Sequence, residues 1–92
     1  MQSVSSLKLA ESEISQLHAA TCLMMTRFIS GNHCPKLAHV IVHQLQQLLA
    51  HPVTQQLPDS LTMYNQLLQH WQHVSSALAD KEAERKAFLR YH

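Results

Sequence analysis

Apolar residues recur at helical spacing in three stretches of the chain, and the sharpest runs from Cys34 to Pro52, CPKLAHVIVHQLQQLLAHP. Within it Leu37, Ala38, Ile41, Val42, Leu45, Leu48 and Leu49 fall inside about 140° of arc at roughly 100° per residue. The opposite arc carries His39, His43, Gln46 and Gln47. Pro35 suits the first turn of a helix, and Pro52 cannot continue one. The pattern predicts an amphipathic helix over 35–50, with one core face and one wet face.

The stretch before it carries a broader signal. Ser5 or Ser6 can cap a helix that Gly31 and Asn32 end in left-handed geometry, giving a helix over 6–30 and leaving 1–5 frayed. Its stripe is Leu7, Ala10, Ile14, Leu17, Thr21, Met24, Met25 and Phe28. From Leu17 onward, Ala19, Ala20, Cys22, Leu23 and Ile29 fill most of the remaining circumference. A helix that is apolar nearly all round needs cover on more than one side. The short connection over 32–34 makes this helix and the next an antiparallel hairpin.

Residues 51–59, HPVTQQLPD, read as the one real loop, with Val53 and Leu57 tucked onto the core. Asp59 or Ser60 then caps a third helix over 60–90. Its stripe is Leu61, Tyr64, Leu67, Leu68, Trp71, Val74, Ser75 and Leu78; beyond that the same face meets Glu82 and Arg85, and only Leu89 resumes it. Such a helix would be about 46 Å long, whereas a compact domain of this size is about 32 Å across. Residues 79–92 are therefore expected to project as a charged helical extension, either solvated or docking Phe88, Leu89 and Tyr91 on another molecule.

The expected architecture is all-α: a single domain over 1–92 with three helices. Composition agrees, since one Gly and three Pro leave little room for turns. A chain this short buries only about 60–65% of its extended surface, which favours a dimer. Seven Lys and Arg against six Asp and Glu provide no electrostatic footprint for nucleic acid or an anionic membrane. The connection between the second and third helices is also too long for a helix-turn-helix reader. No run approaches the roughly 18 uninterrupted apolar residues of a membrane span. The first residues lack the basic region and apolar run of a secretory signal, so a cytoplasmic location is expected. Cys22 and Cys34 should not pair: they would stand about 14 Å apart, and a disulfide needs Cα atoms about 4.4–6.8 Å apart.

Histidine is the compositional anomaly, eight of 92 residues. His39 with His43, and His18 with Cys22, have the i,i+4 spacing at which two side chains can grip one zinc, nickel or copper ion. Each pair supplies two ligands where a closed zinc site needs four, and no recognised ligand pattern occurs. Surface histidines, with no metal and no cofactor, are the expectation. Cys34 opens the helix over 35–50 beside Lys36, an electropositive position that makes it a candidate reactive thiol. Catalysis is not expected: no nucleophile elbow or phosphate loop occurs, and a small bundle leaves little room for an enclosed pocket of roughly 300 Å³.

What remains is a small interaction or regulatory protein of adaptor type, working through an apolar helix surface on a second copy or another protein. The contact residues expected are Ala20, Leu23, Met24 and Phe28, with Phe88 and Leu89 as a lesser patch. Two other readings stay open: a His/Cys-dependent divalent-metal-binding helical protein, and a small helical nucleic-acid-associated regulator.

Overall fold

All three prolines of the chain open a helix, where the missing N–H breaks no intrahelical bond. The computed structural model describes the backbone of residues 2–90 and the side chains of residues 9–90. It contains α1 (Gln2–Ile29), α2 (Pro35–Ala50), α3 (Pro52–Gln55) and α4 (Pro58–Arg90), with no strand among the described residues. The fold is all-α. Among the described residues there are four helices rather than three, because one turn of helix forms inside the expected loop. α1 begins at Gln2 rather than at 6, and α4 begins at Pro58 rather than at 60.

The helix ends follow local chemistry. Gly31 adopts φ 127°, a conformation open to glycine because it lacks a Cβ. The N–H of Gly31 bonds Phe28 O at 3.2 Å, and that of Asn32 bonds Arg27 O at 3.1 Å. These are the paired bonds of a Schellman motif. Asn32 itself stays at negative φ, so the left-handed turn is carried by glycine alone. Cys34 is the N-cap of α2, in extended conformation with no side-chain cap bond. His51 both ends α2 and opens α3: its Nδ1 accepts the Val53 N–H at 3.2 Å. Asp59, an expected cap, sits instead in the first turn of α4, where a carboxylate favours the helix dipole.

α2 is the centre of the packing. Ala38, Ile41, Leu45 and Leu48 are wholly buried, and Tyr64 and Trp71 of α4 close the core around them. Burying each large aliphatic side chain contributes about 1.5–3 kcal/mol. Antiparallel pairing of α1 with α2 is visible in two contacts: Thr21 faces Gln44 at 3.1 Å, and Glu13 faces His51 at 3.9 Å. Thr21 is almost fully buried; its hydroxyl, with one hydrogen to give, lies between two acceptors, Leu17 O at 2.7 Å and Gln44 Oε1 at 3.1 Å.

α1 and α4 both lean on α2 but not closely on each other. Among the described residues, no Cα of one lies within 8 Å of a Cα of the other. Long side chains bridge the gap: the Phe28 ring meets Trp71 edge-on at 5.1 Å, and His18 reaches Tyr64. α3 fills the space between them at the α2 C-terminal end, contacting all three longer helices. Val53, expected on the core, is half-buried and lines an open cleft beside α1 and α4. Leu57, also expected on the core, is 48% exposed, and Thr54 takes the buried place.

Because α2 has 16 residues against 28 and 33 for its neighbours, they overrun it in opposite directions. The molecule is a rod of 67 × 20 × 20 Å with a radius of gyration of 16.9 Å, against about 12 Å for a compact chain of this length. The end of α4 carries Lys86 3.7 Å from Glu82, one turn apart, and exposed Phe88 and Leu89. Tyr91 lies outside the described residues.

Leu45→Ala should lower the unfolding free energy by about 3 kcal/mol, because α1 and α4 cannot both collapse into the void. Val40→Ala, on the 41% exposed flank of the same helix, should cost less than about 1 kcal/mol. Urea denaturation followed by circular dichroism compares the two; equal costs would contradict the assignment of α2's buried face.

Candidate functional site

Two places on α1 could do chemistry or make contacts, and they lie on different faces. The first is the face turned away from α2 and α4. Ser12, Gln16, Ala19, Leu23 and Thr26 are exposed along it, with Leu23 at 49%. Of the other expected contact residues, Ala20 is half-buried, while half-buried Met24 and Phe28 pack against the core cluster. Phe28 is also held between two rings, Trp71 and the tilted His33 at 4.9 Å. The structure thus sets Leu23 apart from Met24 and Phe28. Phe88 and Leu89, 62% and 63% exposed, lie toward the far end of α4.

The second place is the α1/α4 seam. His18 Nδ1 lies 2.7 Å from the Tyr64 hydroxyl, and Nε2 lies 3.6 Å from Cys22 Sγ. The i,i+4 spacing of His18 and Cys22 brings these two together on one helix, and α4 supplies the third member. A neutral imidazole donates through one nitrogen and accepts through the other. The ring therefore stands between phenol and thiol, within hydrogen-bond reach of both. Tyr64 is not a metal-ligand type suited to complete a divalent site with this pair.

Burial pushes the Tyr64 phenol above its ordinary value of 10.0, and the charge of a Cys22 thiolate pushes it the same way. His39 and His43 are exposed on α2, and His39 borders a cleft against Ser75 and Ala79 of α4. Among the described residues, no three of His, Cys, Asp and Glu come together so as to hold a metal ion. Cys34 is half-buried at its cap position, and both cysteines are free thiols.

Three residues with roles here escaped the sequence reading. Tyr64 was legible as core but not as the partner of His18, because that pairing spans 46 positions. His51 had a signal: a side-chain acceptor directly before proline is a helix-opening position. Its Nδ1 accepts from Val53, so Nε2 carries the proton and faces the Glu13 carboxylate. Thr54 had none, since nothing in the pattern placed a helix over 52–55.

No helix among the described residues is long and apolar enough to cross a membrane. No protein-family model matches the chain, and comparison with curated proteins and with solved structures finds no match either.

The Tyr64 shift sets a pH dependence with a definite sign. The folded state holds the phenolic proton more tightly than the unfolded chain, so that stabilisation is complete below pH 10.0. It is lost as pH rises through the folded value. Between about pH 9 and about pH 11, the wild type should lose more stability than Tyr64→Phe, measured by urea denaturation at each pH. Parallel losses would contradict the buried environment of the phenol.

Proposed function

We propose that this chain is a small cytoplasmic interaction protein of adaptor or regulatory type, non-catalytic, which self-associates through the outer face of α1. The observation that carries the reading is Leu23. It is a large side chain, 49% exposed, in a strip that runs from Ser12 to Thr26 without a charge. Nothing in that strip opposes contact with an identical strip, and apolar surface at its centre favours one.

Charge along the rod supports a second copy in antiparallel orientation. The end where α2 finishes carries Glu11, Glu13 and Asp59 against Lys8. The other end carries Arg27, Lys36, Lys81, Arg85, Lys86 and Arg90 against Asp80, Glu82 and Glu84. Thr21 faces Gln44, so Leu23 stands level with the middle of α2. A two-fold axis beside Leu23 would set each acidic end against a basic end, the self-complementary arrangement of a symmetric dimer. Free cysteines accord with a reducing compartment.

Sedimentation should give a dimer at micromolar concentration that dissociates on Leu23→Glu. It should also weaken as salt rises from about 0.05 M to about 0.5 M, through screening of the end-to-end charge match. A wild-type monomer, or a dimer indifferent to Leu23→Glu, would overturn this interface.

A further inference from the structure

The two cysteines of the chain meet different surroundings. Cys34 is half-buried at the cap of α2, and its side chain makes no cap bond. Cys22 is exposed, and its Sγ lies 3.6 Å from His18 Nε2, one turn back on α1. A thiol attacks as its thiolate, so a base beside the sulfur decides how readily it reacts. His18 is itself exposed, and an unheld surface imidazole moves between rotamers. Tyr64 holds this one. Its ring is 6% exposed, packed in the core, and its hydroxyl lies 2.7 Å from His18 Nδ1. The two rings also meet near edge-on, with centroids 5.9 Å apart. A fixed residue of α4 thus holds the far nitrogen of the imidazole while the near one faces the thiol. Nucleophile, base and orienting group are the three parts of an activated thiol.

Proton placement follows from these partners. For Nε2 to take the thiol proton, the neutral ring carries its own on Nδ1, which donates to the Tyr64 oxygen. After the transfer both ring nitrogens are donors, Nδ1 to Tyr64 and Nε2 to the sulfur anion. Burial raises the Tyr64 phenol above its ordinary value, so the base is His18 and not Tyr64. Cys34 lies past the turn at Gly31, about 14 Å away by the rise of α1. A disulfide needs Cα atoms about 4.4–6.8 Å apart, so a sulfur joined to Cys22 is not passed on to Cys34.

We propose that Cys22 is a site of reversible S-thiolation by small disulfides, with His18 as its base and Tyr64 as the residue that positions His18. His18 Nε2 accepts the thiol proton as Cys22 Sγ attacks one sulfur of the disulfide. A new S–S bond forms at Cys22, the S–S bond of the small molecule breaks, and the departing thiolate takes the proton back from the imidazolium. Cys22 is oxidised to a mixed disulfide, and the departing half of the small molecule is reduced to a free thiol. An excess of small thiol drives the same exchange backwards. Cys22 stands roughly 100° around α1 from Leu23, so the site does not rest on the interface proposed there.

The test treats the full chain with excess 2-hydroxyethyl disulfide, a neutral probe, and follows each cysteine by acid quench and peptide mass spectrometry. Cys22 should form the mixed disulfide ahead of Cys34. His18→Gln should slow Cys22 at least about fivefold at about pH 7, where an unaided thiol is only about 3% ionised. Tyr64→Phe should slow it about twofold or more, the share of one modest hydrogen bond. Cys34 should keep its rate in both variants, which reports an intact fold. At about pH 9.5, where thiols ionise unaided, the wild type and both variants should converge at Cys22. A loss caused by altered shape or access would persist there. A Cys22 rate indifferent to His18→Gln or to Tyr64→Phe, or a loss that survives at the higher pH, would overturn the proposal. So would modification that favours Cys34 or reaches both cysteines alike.

Discussion

The fold depends on one stripe of one short helix. Ala38, Ile41, Leu45 and Leu48 of α2 are wholly out of solvent, and the two long helices approach each other mainly by reaching across them. Phe28 and Trp71 meet edge-on over this stripe, and His18 reaches Tyr64 beside it. Large rings at the α1/α4 seam hold those helices too far apart for close backbone packing. That separation leaves clefts along the seam, one beside α3 and another beside His33 and His73.

The second consequence is length. α2 offers 16 residues of cover to neighbours of 28 and 33, so neither can be buried along its whole course. A rod 67 Å long results, with an excess of carboxylates toward one end and of cations toward the other. A chain of this size with so much uncovered helix has apolar positions to spare, and Leu23 is one that the fold itself leaves unused. In the proposed dimer the second copy supplies the cover that the core cannot.

Much of this was legible in the residues. α2 was readable to its ends, because prolines bound it and its apolar arc is narrow. The Schellman end of α1 was announced by Gly31, and the overrun of α4 by the loss of its stripe after Leu78. The start of α4 at Pro58 was missed because Asp59 and Ser60 are strong capping types, whereas Leu57, which precedes the helix, has no cap to offer. The short helix α3 was hidden in a segment whose pattern is too brief to show a period. With it went Thr54, whose burial only three-dimensional placement exposes. The i,i+4 pairing of His18 and Cys22 was visible in sequence, but the third member was not. Periodicity describes each helix separately and says little about which residues meet across a seam.

Amide hydrogen exchange tests the dependence on α2 most directly. Ile41, Leu45 and Leu48 should exchange only through global unfolding, with the residues of α1 and α4 level with them close behind. The stretches that overrun α2, over 3–10 and 84–90, should exchange orders of magnitude faster. Protection extending undiminished to the end of α4, or α2 opening before its neighbours, would contradict a fold built on that one stripe.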